Sequence, residues 1–270
     1  MDVDFQFAEP HLTSCERAML NVLQATLQYP ADSQLNVTKL CSDIQFFCNS
    51  QQENTASGRH LWEIWSVVIE MVQYISPDHP WQDVLVRCLG SLRRREGHVP
   101  KHGAYMWKDL PDLTMRLREN WNDPTETGEE LPEEFTKWKN LNSFVARITS
   151  TDFAPWLVFP IWQLTMALEK PPVAGGAMEC RVWVATEWII NCAAVLFEEM
   201  NSIEQLDDST ARAFMTGPLC DTQEPLSIKR WHFWKRRLLG LSADTGDLAL
   251  GSVARDRMSN TVEIMDCTEK

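Results

Sequence analysis

Trp62, Trp65, Ile69 and Val72 recur at intervals of three and four residues, and Trp138, Leu141, Val145 and Ile148 repeat the spacing. That interval marks one face of an α-helix, and it holds nearly everywhere along the chain. The strict alternation of a half-buried strand is absent. The pattern predicts helices over 12–28, 35–49, 58–76 and 80–95, then over 106–121, 132–150, 153–169, 177–201 and 224–241. Breakers fall between them. SPDHP at 76–80 ends one helix and starts the next, with Pro80 in a first turn where its missing N–H costs nothing. GHVPKHG at 97–103 and the acidic NDPTETGEELP at 122–132 read as loops, and PPVAGG at 171–176 as a linker. Pro160 lies inside the 153–169 segment and predicts a kink there. No segment repeats at a fixed period. The expectation is an all-α, single-domain bundle of about eight to ten helices over 1–241, with a tryptophan-rich core. Residues 242–270 read as a polar tail with room for one short helix.

Residues 229–237, KRWHFWKRR, test this reading, because rings mixed with cations also suit nucleic acid or an acidic membrane surface. At about 100° per residue, Trp231, Trp234, Leu238 and Leu241 share a stripe, and Lys229, Arg230, Arg236 and Arg237 fall on the other side. A stacking platform for bases needs rings exposed beside the cations. Burying the indoles instead gains roughly 25 cal/mol per Å² of apolar area. The chain carries a net charge of -13, which repels phosphate backbones at long range. The stretch is expected to dock as a helix whose cations pair with the protein's own carboxylates. Nucleic acid is not an expected partner.

At 270 residues and 44% hydrophobic, the chain can bury a sizeable core. No apolar run approaches the roughly 20 residues that cross a bilayer, and MDVDFQFAEPHLTS lacks the basic and apolar regions of a signal peptide. The eight cysteines form no CxxC and keep no finger spacing with histidine. They read as reduced thiols of a cytoplasmic protein, with Cys41 and Cys48 on one helical face.

Four passages carry a family likeness: HPWQDVLVRCLGSLRR (79–94), WKDLPDLTMRLRENWNDP (107–124), WKNLNSFVARIT (138–149) and RWHFWKRRL (230–238). In order and spacing they resemble a fungal family known as domain of unknown function 3632, over roughly residues 58–241. The resemblance implies a fungal source and a helical fold, with members often found in genomes rich in specialised metabolism. It supplies no catalytic residues.

The candidate chemistry rests on tryptophan, 12 in the chain. Indoles on helical stripes are core residues or the walls of an apolar cavity, where a π face can stabilise a cation. Asn142 falls inside the apolar stripe of 132–150 and needs partners there. It either bonds a neighbouring helix or orients a ligand. Gln73, near Ser66, has the same two readings. His79 is a general base or a cap beside Pro80. Asp109 is an acid or base, or satisfies first-turn N–H groups. Asp83 is explained by the helix dipole and Arg87, four residues on. Glu187 and Asn191 pair at i, i+4 but share a polar side with Glu198, so they are expected in solvent. GxGxxG, GxxxxGK[ST], HExxH and GxSxG are absent, and DDSTAR at 207–212 lacks the DDxxD spacing of metal-dependent terpene synthases.

Two functions follow. One is a cofactor-free, metal-independent cyclase, isomerase or epoxide-opening enzyme of specialised metabolism acting on an apolar small molecule. Its catalytic set would be His79, Asp109 and Asn142, with Gln73, Trp107, Trp138 and Trp65 binding substrate. The other is a non-catalytic helical interaction protein, using the basic side of 229–237 or the acidic loop 122–134. Either reading is compatible with a homodimer.

Overall fold

The computed structural model describes residues 12–29, 32–50, 59–94, 110, 112–150, 156–203, 205–244, 248 and 250–270. Among them are eleven α-helices and no strand, so the helical period is borne out as an all-α fold. The helices gather in two compact units, Met1–Asn122 and Asp123–Lys270.

The first unit holds α1 (Ser14–Leu27), α2 (Ser33–Ser50), α3 (Arg59–Gln73), α4 (Pro80–Arg94) and α5 (Leu113–Glu119). Helix α1 starts on a reciprocal cap. The Thr13 hydroxyl accepts from the Glu16 N–H, and the Glu16 carboxylate accepts from the Thr13 N–H. Helix α2 packs against α4 and α1, and α3 packs against α1 and α5. Most of the apolar stripe of α3 is sealed: Trp65, Ile69 and Val72 are at most 1% exposed, and Trp62 at its start is half-buried.

The second unit opens on a short 3-10 turn at Pro124–Glu126. Then come α6 (Pro132–Ser150), α7 (Val158–Leu164), α8 (Gly175–Met200), α9 (Asp208–Ala213), α10 (Ile228–Ala243) and α11 (Ser252–Thr268). Helix α8 is the axis of this unit and contacts α6, α7, α10 and α11. It is long and apolar enough to cross a bilayer, more so than its sequence suggests at first reading. Yet 67% of its most apolar window is buried inside the protein, as in a core helix. Gly175, at its start, has a φ of 67°, a conformation other residues rarely adopt, and a side chain there would strike Glu130.

Three local expectations change. Pro160 does not kink a long helix: it occupies the first turn of α7, where the N–H that proline lacks would have no helical partner anyway. The chain then widens into a π-helical turn at Thr165–Glu169. The stretch between the helices predicted at 177–201 and 224–241 contains a further one, α9, capped by the Asp207 carboxylate on the Ser209 and Thr210 N–H groups. Most consequentially, the expected polar tail contains α11, 17 residues long. Met258, Val262 and Met265 form its buried stripe at i, i+4 and i+7. Its end is pinned to α10: Glu269 accepts from the Trp231 indole at 2.9 Å and from Lys235. Lys235 also pairs with Asp266, and that bond holds its ammonium above the usual lysine range.

Of the eleven tryptophans described, five are buried, six are half-buried and none is exposed. Trp65, Trp188, Trp231 and Trp234 are among the largest fully enclosed side chains. Complete burial of one large apolar side chain contributes roughly 1.5–3 kcal/mol.

Candidate functional site

The sequence-derived candidates are divided between the two units. Trp65, Gln73 and His79 belong to the first, Trp138 and Asn142 to the second. Trp107 and Asp109 lie outside the described residues. Gln73 turns back on its own helix, donating to the Ile69 carbonyl at 3.3 Å and to Glu70 at 3.4 Å. His79 accepts the Trp81 N–H on Nδ1 at 3.2 Å, and its ring meets the Trp81 indole edge-on at 4.7 Å. That is the geometry of a helix-start cap.

Asn142 has no accessible surface. Its amide donates to the Trp138 carbonyl one turn back at 2.9 Å, and its carbonyl accepts the Trp188 indole N–H at 2.8 Å. The side chain therefore ties α6 to α8, and Trp138, 4% exposed, closes over the same layer.

One residue further along α6 the polar layer continues outward. The Ser143 hydroxyl donates to Glu187 Oε1 at 2.6 Å, and the Asn191 amide donates to the same oxygen at 3.1 Å. Arg257 of α11 donates to Glu187 Oε2, and to the Thr186 hydroxyl at 2.8 Å. Glu187 is thus 6% exposed, not solvated as its wheel position suggested. The sequence could not place α11 over this face of α8.

The Arg257 guanidinium also lies 4.7 Å from the Trp183 ring, and Lys139 Nζ lies 5.9 Å from it. These are cation–π distances. Trp183, Lys139 and Arg257 line a groove of about 720 Å³ between α6, α8 and α11, together with Val182, Ile190 and Val253. Glu179 and Asp256 line it too. Glu179 accepts the Gly251 N–H at 3.0 Å, while Lys139 has no carboxylate partner among the described residues. The size falls in the usual range for small-molecule sites. The chemistry on offer is an apolar wall, one half-buried indole, two carboxylates, a guanidinium paired with Glu187, and one ammonium without a carboxylate partner among the described residues. The signal that could have pointed here is the Met258, Val262, Met265 stripe, which marks 252–268 as a docked helix and so brings Arg257 to α8.

A second arginine–glutamate–tryptophan group is closed. Glu169, on the π-helical turn, and Arg230 of α10 are both fully buried, with Nε to Oε1 at 2.6 Å. Arg230 was expected on the wet side of its helix. The remaining Glu169 bonds come from the Trp234 indole and the Gly217 N–H, each at 2.6 Å, and from Arg230 Nη2 at 3.1 Å. Arg230 Nη1 donates to the carbonyls of Phe214 at 2.7 Å and Pro225 at 2.5 Å. Among the other cations of this helix, Arg236 pairs with Asp221 and Lys229 with Glu224, while Arg237 donates to the Leu168 carbonyl at 3.0 Å.

Among the described residues, no three His, Cys, Asp or Glu side chains gather where they could hold a metal ion. Cys180 and Cys192 are pushed up to about 12 by burial, so both thiols stay protonated at neutral pH.

With this architecture the chain matches, over residues 65–238, the family described as Protein of unknown function (DUF3632). It belongs to that family. Neither a curated protein nor a solved structure matches it.

Proposed function

We propose that the chain is a helical binding protein whose ligand is a small molecule with an apolar body and a carboxylate, seated in the Trp183 groove. The observation that carries this reading is Lys139, half-buried beside Trp183 with no carboxylate partner among the described residues. A ligand carboxylate supplies that partner, and the hydrocarbon lies along Ile190, Trp183 and Val253. Asn142, the polar group expected to reach a cavity, instead has its carbonyl and amide engaged between α6 and α8. That favours binding over catalysis by the residues first considered. A cofactor-free catalyst of specialised metabolism would need reactive groups on the groove itself.

The test is calorimetry and native mass spectrometry with octanoate, 1-octanol and octylamine. Octanoate is expected to bind best, and Lys139→Gln to weaken it about tenfold, the loss of one charge-assisted bond. Equal binding of all three probes, or a preference for octylamine through Glu179 and Asp256, overturns the assignment. Chemical conversion of the bound probe would return the chain to the catalysts.

A further inference from the structure

Two thiols of the first unit have no part in the groove. Cys41 on α2 and Cys88 on α4 stand with their sulfurs 3.2 Å apart. Cys41 Sγ is also 3.4 Å from the Cys88 carbonyl oxygen, so the two helices approach closely at this point. Both residues are at most 1% exposed, with Leu40 and Ile44 beside one and Leu85 and Leu89 beside the other. A disulfide bond is about 2.05 Å long, so closure requires an approach of only about 1.2 Å, within the reach of side-chain rotation and small helix shifts.

We infer that Cys41 and Cys88 are an oxidation site, closing to a disulfide between α2 and α4 when the protein meets a peroxide. One thiol gives up its proton, the thiolate attacks a peroxide oxygen, the O–O bond breaks, and a sulfenic acid forms while the departing hydroxide takes up that proton as water. The second thiolate attacks that sulfur, the S–O bond breaks, and the oxygen leaves as a second water. Two thiols lose two electrons and hydrogen peroxide gains them. Because the pair is enclosed, peroxide reaches it through local opening of the α2–α4 seam, and the rate follows that opening. Exposed Cys267 reacts without it.

The test treats the full chain with hydrogen peroxide, blocks remaining thiols with N-ethylmaleimide under denaturing conditions, and maps tryptic peptides. The expected product joins the peptide beginning at Leu40 to the one beginning at Cys88, lighter by two hydrogens. Fragmentation between Cys41 and Cys48 must place the bond on Cys41. Dithiothreitol should abolish the product, and mild urea should speed its formation more than it speeds oxidation of Cys267. The inference is overturned if Cys41 and Cys88 are both recovered alkylated after Cys267 is fully oxidised. It is equally overturned if Cys88 is joined to Cys48. Both readings come from the wild-type protein, so neither depends on a variant that folds.

Discussion

The second unit contains the same trio twice, in two states of hydration. Glu169, Arg230 and Trp234 form a closed group: both charged side chains are fully buried and each Glu169 oxygen accepts two hydrogen bonds. Glu187, Arg257 and Trp183 form an open one, in which the arginine side chain keeps 25% of its surface and the indole faces a groove. The closed group gives up hydration completely, so its partners must replace all of it. It is a joint between the π-helical turn and α10, with no edge for a ligand. The open group retains a wet side, and the Lys139 ammonium beside it has no carboxylate partner among the described residues. Identical residue types therefore close a joint in one place and border a groove in the other, and burial decides which.

That contrast can be broken by mutation. The largest effect is expected for Glu169→Ala, which leaves Arg230 charged and buried without its carboxylate. The loss should be about 3–5 kcal/mol by urea unfolding. A loss below about 1 kcal/mol would mean water reaches Arg230 and the closed group is not closed. Gly217→Ala comes next. A Cβ there would sit 2.7 Å from both Cβ and the carbonyl oxygen of Glu169, so the loop must retreat from its hydrogen bond. About 1–3 kcal/mol should be lost, the usual cost of overpacking.

Glu187→Gln keeps the shape of the open group and removes its charge. With Arg257 partly hydrated, about 1 kcal/mol is expected in the same urea titration. A loss equal to that of Glu169→Ala would erase the distinction between the groups. The smallest effect sits outside both, at the cap of α9. Bonds from the Ser209 and Thr210 side chains, and then from their N–H groups, hold Asp207 well below the usual carboxylate range. Its folded value is depressed, so its contribution is present at neutral pH and is lost as pH falls below about 3.8. Asp207→Asn keeps the cap without the titration. Wild type should therefore lose more melting temperature than the variant between pH 5 and pH 2.

The contrast also shows what the sequence could and could not display. Helical spacing alone supplied the all-α class, the inward indoles and the burial of Asn142, since these depend on residues within a turn or two of one another. It placed Arg230 and Glu187 on wet faces, and both are buried. Their partners lie 61 and 70 residues away in the chain, at Glu169 and Arg257. A helical wheel shows which residues share a side, not which helix arrives to cover it. Helix α11 was the costliest omission, because a net polar composition concealed a three-residue apolar stripe, and without that helix the groove has no outer wall.

The claim that the tryptophan interior is sealed while Trp183 faces ligand is tested most directly by the indole N–H signals of the nitrogen-15-labelled protein during an octanoate titration. The Trp183 signal should move with added octanoate, while those of Trp188 and Trp234, held by Asn142 and Glu169, should stay in place and exchange slowly with deuterium. Movement of the Trp188 signal, or its exchange at the rate of an exposed indole, would put the ligand inside the bundle and contradict the account.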